Sequence, residues 1–190
     1  AVEARIDCII VRERDLEARD LVDLTVAIVK LTRGTHTRVV VNDRLDVALA
    51  SGADGVHLRS DSMAPALIRR MIPDGFLVGR SVHSAEEATA VTGVDYVVAG
   101  TVWSSASKPA GHQLLGLDGF AAVTRAVRAP VLAIGGVTLG RVREVAAGGG
   151  AGIPPIGLFM SDAAEECRAV QLDTIANAAR LRFDTPGSRS

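Results

Sequence analysis

Seven short apolar runs punctuate the chain, at 6–12, 38–42, 55–58, 77–81, 96–102, 131–134 and 153–158. Most are apolar at successive positions rather than alternate ones, as in "RVVVN" and "VLAI". That is the pattern of strands buried on both faces. Between and after them lie longer segments with apolar residues at helical spacing, at 16–32, 43–51, 64–71, 85–91, 117–128, 139–147 and 163–181. Asp43, Ser62, Ser84, Thr138 and Asp162 each stand just before such a segment. These residue types accept hydrogen bonds from the free amides of a first helical turn, so they are read as N-caps.

Strict alternation of strand and helix predicts a parallel sheet with helical crossovers. Two architectures meet that description, a closed eight-fold barrel and an open doubly wound sheet. No strand is followed by G-x-G-x-x-G, and the opening "AVEARID" reads as the end of a helix entering a strand. The expectation is an α/β protein, a (β/α)8 TIM barrel whose first strand and most of whose first helix lie outside the numbered chain. An open seven-stranded sheet is the alternative. The barrel domain is expected over 1–182, with a frayed polar tail at 183–190. Pro154 and Pro155 cannot donate to a ladder, so the run at 153–158 is expected to be distorted or to start late.

Composition narrows the function. A chain of 190 residues that is 48% hydrophobic can bury one substantial core. Its net charge of -1 gives no overall attraction to nucleic acid or to an anionic membrane. Aromatic residues make up 3%, too few for a base-stacking platform. No apolar run reaches the roughly 20 residues of a membrane span. Cys8 and Cys167 lie far apart without metal-ligand spacing, which points to a reduced, cytoplasmic setting. Any phosphate the chain binds should therefore be held by local groups, and a homo-oligomer is left open.

In a barrel, chemistry belongs at the C-terminal ends of the strands. There the sequence places Arg12 and Arg14, then Asn42 and Asp43, then His57, Arg59 and Asp61, then Arg80, Ser81 and His83. The loop "TVWSSASKPAGHQLLG" follows with Ser105 and Lys108, and the last two ends carry Gly135–Gly136 and Ile156–Gly157. Each has a plainer reading: Asp43 as a helix cap, His57 as a core histidine, the glycine pair as a turn. Together they suit a polyanion. Arginine presents a forked donor set to phosphate, lysine a mobile point charge. An aspartate suits Mg²⁺, which leaves most of its ligand positions to water and phosphate oxygens. Glycines beside a helix start expose backbone N–H groups to a phosphate monoester. Two anion sites are therefore expected, one metal-assisted and one built from backbone.

The stretches "VRERDL", "VVVNDRLDVALASGADGVHL", "GRSVHSAEEA", "DYVVAGTVWSSASKPAGHQLLGLDGF" and "PVLAIGGVT" together resemble the thiamine phosphate synthase/TenI superfamily. The resemblance runs from about residue 6 to residue 160. It implies a synthase that joins a pyrimidine diphosphate to a thiazole phosphate and releases pyrophosphate. By position, Arg12, Arg14, Asn42 and Asp43 would hold pyrophosphate and Mg²⁺, with Ser81, Ser105 and Lys108 completing that site. Gly135, Gly136, Ile156 and Gly157 would hold the thiazole phosphate. Where the family has "H-x-G-Q-E-D" this chain has "HLRSDS", so the second acidic metal ligand falls on Asp61 or is replaced by Ser62, and Arg59 stands in place of glycine. Ile10 replaces the family's pyrimidine-contacting glutamine. "GRSVHS" is closer to the TenI branch, which implies a thiazole phosphate tautomerase as an alternative. That branch uses a histidine where this chain has Thr101; His83 and His112 are the substitutes at hand. A non-catalytic binder of thiazole or thiamine phosphate is the third reading.

Overall fold

The computed structural model describes residues 6–104, 111 and 113–154. Within them the chain alternates β1 (Cys8–Val11), α1 (Ala18–Thr32), β2 (Arg38–Asn42), α2 (Leu45–Ser51), β3 (Gly55–Leu58) and α3 (Pro65–Ile68). It continues with β4 (Leu77–Val82), α4 (Ala85–Ala90), β5 (Tyr96–Gly100), α5 (Gly116–Ala126), β6 (Val131–Ile134) and α6 (Val142–Ala147). A single 3-10 turn at Leu139–Arg141 leads into α6.

All neighbouring strands pair in parallel, and the sheet order is β1-β2-β3-β4-β5-β6. A doubly wound sheet reverses its order at a switch point. This one never does, so the sheet winds one way throughout, as a barrel wall does. The expected strand at 153–158 lies mostly outside the described residues; the approach to it is visible as a bridge between Leu132 and Gly152. The helix expected at 163–181, and Asp162, lie outside them as well.

Strand periodicity separates two faces. Val39, Val41, Val56 and Val78 pack with α1 and α2 residues Leu21, Val47 and Ala48. Val97, Ala99, Val131 and Ala133 pack with Phe120 and Val123 of α5. The alternate residues Val40 and Val98 are also buried, on the opposite face. That second face carries Gly55 and His57 of β3, Gly79 and Ser81 of β4, and Tyr96 of β5 (register pairs His57↔Gly79, Gly79↔Tyr96 and Ser81↔Val98). Polar groups thus share an apolar-walled interior.

Register is pinned by one device used twice. Asp54, just before β3, accepts from Val39 N–H at 2.8 Å and returns its own N–H to the Val39 carbonyl at 2.7 Å. Asp95, just before β5, does the same to Val78, at 2.7 and 2.8 Å. Each aspartate closes the start of the neighbouring strand, and a slip of one residue would leave a buried amide unpaired.

The cap readings hold only in part. Ser84 accepts from Glu87 N–H at 3.2 Å, and Glu87 reaches back to His83 N–H at 2.8 Å. That is a reciprocal cap at the start of α4. Thr138 occupies a cap position without a side-chain bond, and the residues capping α2 and α3 are Arg44 and Ala64. Asp43 and Ser62 bond to each other instead.

Candidate active site

Because every strand runs the same way, the C-terminal ends of β1 to β6 share one rim. Arg12 and Arg14 are exposed just beyond β1. Among the described residues neither forms an ion pair. Asn42 ends β2, paired in register with His57. Asp43 follows in a left-handed backbone conformation, φ 62°, unusual for a non-glycine residue. Its N–H donates to the His57 carbonyl at 2.9 Å. This bond turns the chain out of the sheet and aims the carboxylate over the end of β3.

The loop after β3 meets it there. Ser62 donates its hydroxyl to Asp43 Oδ1. The Arg59 guanidinium lies 3.7 Å from Asp43 Oδ2 and 2.5 Å from Asp61 Oδ2. Asp43, Leu58, Arg59, Asp61, Ser62 and Met63 line a cavity of about 320 Å³. The loop is braced from behind by Arg80 of β4, which donates to the carbonyls of Ser60 at 2.6 Å, Met63 at 2.8 Å and Ser62 at 3.1 Å. Arg80 therefore builds the wall of this cavity.

Asp43 and Asp61 are the groups that could hold a divalent ion. Among the described residues no set of three or more His, Cys, Asp or Glu side chains gathers into a metal cluster. Two carboxylates with a neighbouring hydroxyl are nevertheless the hard oxygen donors Mg²⁺ takes when phosphate and water supply the rest. The carboxylates already converge on one cation, Arg59, which stands in for such an ion. The donor set fits.

Deeper in the sheet, His57 bonds Ser81 Oγ through Nε2 at 2.9 Å and Tyr96 OH through Nδ1 at 3.2 Å. Burial pushes the His57 pKa down to about 4; Asp43 opposes that shift and Arg80 adds to it. The imidazole is thus neutral at physiological pH. Burial, with Cys8 and Asp95 nearby, raises the Tyr96 pKa, so its phenol stays protonated. A neutral imidazole between two hydroxyls fixes the Ser81 hydroxyl at the rim. His83 is turned aside: its Nδ1–H donates to the Gly100 carbonyl at 2.5 Å, tying the end of β4 to the end of β5.

Across the rim, Gly135 and Gly136 follow β6 with φ values of 94° and 62°. A Cβ on Gly135 would lie 2.3 Å from Thr101 Cγ2, and one on Gly136 would lie 2.4 Å from the Ser104 carbonyl. The pair lets the segment after β5 cross close over the end of β6, where Trp103 N–H donates to the Gly135 carbonyl at 3.0 Å. Arg141 donates to the Gly136 carbonyl at 2.7 Å and stacks over Trp103 at 4.9 Å. Ser105, Lys108, His112, Ile156 and Gly157 lie outside the described residues.

Asp43, Asp61 and Ser62 are thus brought together, while Ser81 belongs to a neighbouring part-buried network with His57 and Tyr96. Residue types alone do not show Tyr96, Gly79 or the bracing role of Arg80, whereas His57 is the buried, hydrogen-bonded histidine that its apolar strand suggests. The available signals were a tyrosine opening an apolar strand, a glycine inside another, and an arginine next to Ser81.

Comparison with known proteins places the chain in a family. The family model described as thiamine monophosphate synthase matches residues 1–156. The chain is 39% identical to a thiamine-phosphate synthase of Methanoculleus marisnigri over 158 residues, covering 82% of this chain and 75% of that protein. It is 42% identical to a thiamine-phosphate synthase of Methanoregula boonei over 154 residues, covering 80% and 67%. Among solved structures, thiamine phosphate pyrophosphorylase from Pyrococcus furiosus superposes with a TM-score of 0.79 at 31% identity, covering 94% of this chain and 86% of that one. By sequence and by fold, this chain belongs to the thiamine monophosphate synthase family.

Proposed function

We propose that the protein is a thiamine-phosphate synthase, a transferase that joins hydroxymethylpyrimidine diphosphate to thiazole phosphate and releases pyrophosphate. The observation that carries this reading is the likeness over most of both chains to proteins named thiamine-phosphate synthase. The same likeness weighs against the tautomerase and against a non-catalytic binder. The sheet's unreversed order supports a closed (β/α)8 barrel as the scaffold.

On this reading the strand-end residues take the following roles. Arg12 and Arg14 bind the diphosphate by forked hydrogen bonds. Asn42 donates from the end of β2. Asp43 and Asp61 hold Mg²⁺, whose contribution when bound is to neutralise charge on the leaving pyrophosphate. Ser81, steadied by His57, donates its hydroxyl to the same group, and Ser105 and Lys108 complete the site. Backbone N–H groups at Gly135, Gly136, Ile156 and Gly157 take the thiazole phosphate. The bond from the pyrimidine methylene carbon to the diphosphate oxygen breaks, and its electron pair leaves with pyrophosphate. The thiazole nitrogen lone pair forms the new C–N bond. No protein nucleophile or proton transfer is required. The half-buried thiol of Cys8, pushed up to about 11 chiefly by desolvation, stays protonated and takes no part.

Among the described residues no helix is long and apolar enough to cross a membrane. A cytoplasmic setting and small phosphate substrates are part of the same proposal, from the likeness to biosynthetic enzymes. The test is a coupled assay with both substrates and Mg²⁺, following pyrophosphate and thiamine phosphate together. Stoichiometric formation of both, reduced about a hundredfold in Asp43→Asn, is expected, the size typical of a lost charge-stabilising group. Thiazole phosphate binding without product would reject the synthase.

A further inference from the structure

Arg59 is left without a role by the reaction above. It is nonetheless paired with two carboxylates of the rim. Its guanidinium contacts Asp61 at 2.5 Å and Asp43 at 3.7 Å. The two carboxylates reach it from different strand ends, β2 and β3. Left alone, two such carboxylates on one cavity would repel each other. Arg59 cancels one of their two charges.

Its backbone is fixed within the loop, whereas its side chain is held only by these two part-exposed ion pairs. The Arg59 N–H donates to Ser62 Oγ at 2.9 Å, and the preceding Leu58 is buried. The side chain is 51% exposed, so the guanidinium can leave the carboxylates without disturbing the loop. A divalent ion takes carboxylate oxygens at about 2.1 Å. A guanidinium paired to those oxygens occupies part of their donor capacity, and the two positive charges repel.

We propose that Arg59 is a resident counter-ion that competes with the divalent metal for Asp43 and Asp61. The proposal rests on the metal-binding reading of those two aspartates. In the absence of diphosphate the guanidinium holds the carboxylates and keeps metal affinity low. A diphosphate entering the cavity offers Arg59 a second anion, to which it is well matched. The guanidinium then trades a carboxylate for a phosphate oxygen and clears the metal position. Metal and diphosphate binding are thereby coupled, and by linkage each tightens the other.

The experiment is Mn²⁺ binding to the full chain without substrates, read from loss of the free-ion electron paramagnetic resonance signal at low ionic strength. Wild type, Arg59→Gln, Asp43→Asn and the double variant are compared, with thermal melting to verify folding. Removing two partly exposed ion pairs is expected to tighten Mn²⁺ about tenfold in Arg59→Gln. Adding Asp43→Asn should abolish that gain. Equal affinity in wild type and Arg59→Gln would overturn the competition while leaving a metal site in place. No binding in either protein would overturn the competition and the metal reading together. A gain that survives Asp43→Asn would place the ion elsewhere and also overturn the proposal.

Discussion

The rings of His57 and Tyr96 stack across an intervening strand, with centroids 5.5 Å apart and planes inclined by 20°. The residue between them in register is Gly79 of β4. Only a residue without a side chain lets rings from β3 and β5 meet over β4. The contact joins the polar interior of the sheet to the rim, because His57 carries Ser81 on its other nitrogen.

Gly79 is therefore predicted to be intolerant of even one methyl group. A Cβ there would stand 2.2 Å from Tyr96 Cζ and 2.6 Å from His57 Nδ1. Both neighbours are ring atoms set in a packed interior, so they cannot yield cheaply. Gly79→Ala should destabilise the fold by roughly 1–3 kcal/mol, the usual cost of overpacking. It should also lower synthase turnover by releasing Ser81. Denaturant unfolding and steady-state kinetics on the variant check both; unchanged stability would mean that the rings are not held over Gly79.

The buried His57 predicts a loss of stability in mild acid. Its folded-state pKa, about 4, lies below the ordinary 6.5. Between those values the unfolded chain binds a proton that the folded chain does not. The stabilisation is therefore full above pH 6.5 and falls as the pH drops towards 4. The gap amounts to about 3 kcal/mol. Melting temperature measured from pH 7.5 to 4.5 should fall steeply in wild type and less in His57→Gln. Parallel curves would show that His57 does not titrate in this window.

Strand positions were legible in the sequence wherever polar or turn residues bounded an apolar run. The limits expected for β2, β3 and β6 coincide with those observed. The run at 96–102 was read too long: Thr101 and Val102 continue the apolar stretch beyond the strand, as they cross over the end of β6. The rim as a location was also legible, since it follows from parallel strands alone. Partnerships across it were not. Asp43 looks like a helix cap because aspartate before a helix usually is one. Its carboxylate is claimed instead by Ser62 and Arg59, 19 and 16 residues away. The His57–Gly79–Tyr96 row depends on register, which local pattern does not encode. Asp54 and Asp95 do encode it, but only once the neighbouring strands are known.

Gly136 offers a test of the second anion site. Its φ of 62° and the Ser104 carbonyl 2.4 Å from a Cβ make any side chain costly there. Gly136→Ala should push the segment after β5 off the end of β6 and disturb the Arg141–Trp103 stack. If backbone N–H groups here hold the thiazole phosphate, its KM should rise about tenfold or more, with little change in the KM for the diphosphate. Equal effects on both substrates would argue that the glycines serve only the packing of that segment.

Arg80 distinguishes a wall-building cation from a substrate-binding one. Three carbonyls of the loop after β3 accept from its guanidinium. Three of its five donors are thus engaged by protein, which gives it influence on catalysis through the placement of Asp61 and Ser62. Arg80→Lys keeps the charge but cannot span the three acceptors with a planar fork. A residue acting through its charge alone would be rescued by lysine. One acting through geometry would not. The expected result is that Arg80→Lys and Arg80→Ala both weaken Mn²⁺ and diphosphate binding to a similar extent. Thiazole phosphate binding across the rim should change little. Recovery by lysine to near wild-type affinity would instead make Arg80 an electrostatic contributor to the diphosphate site.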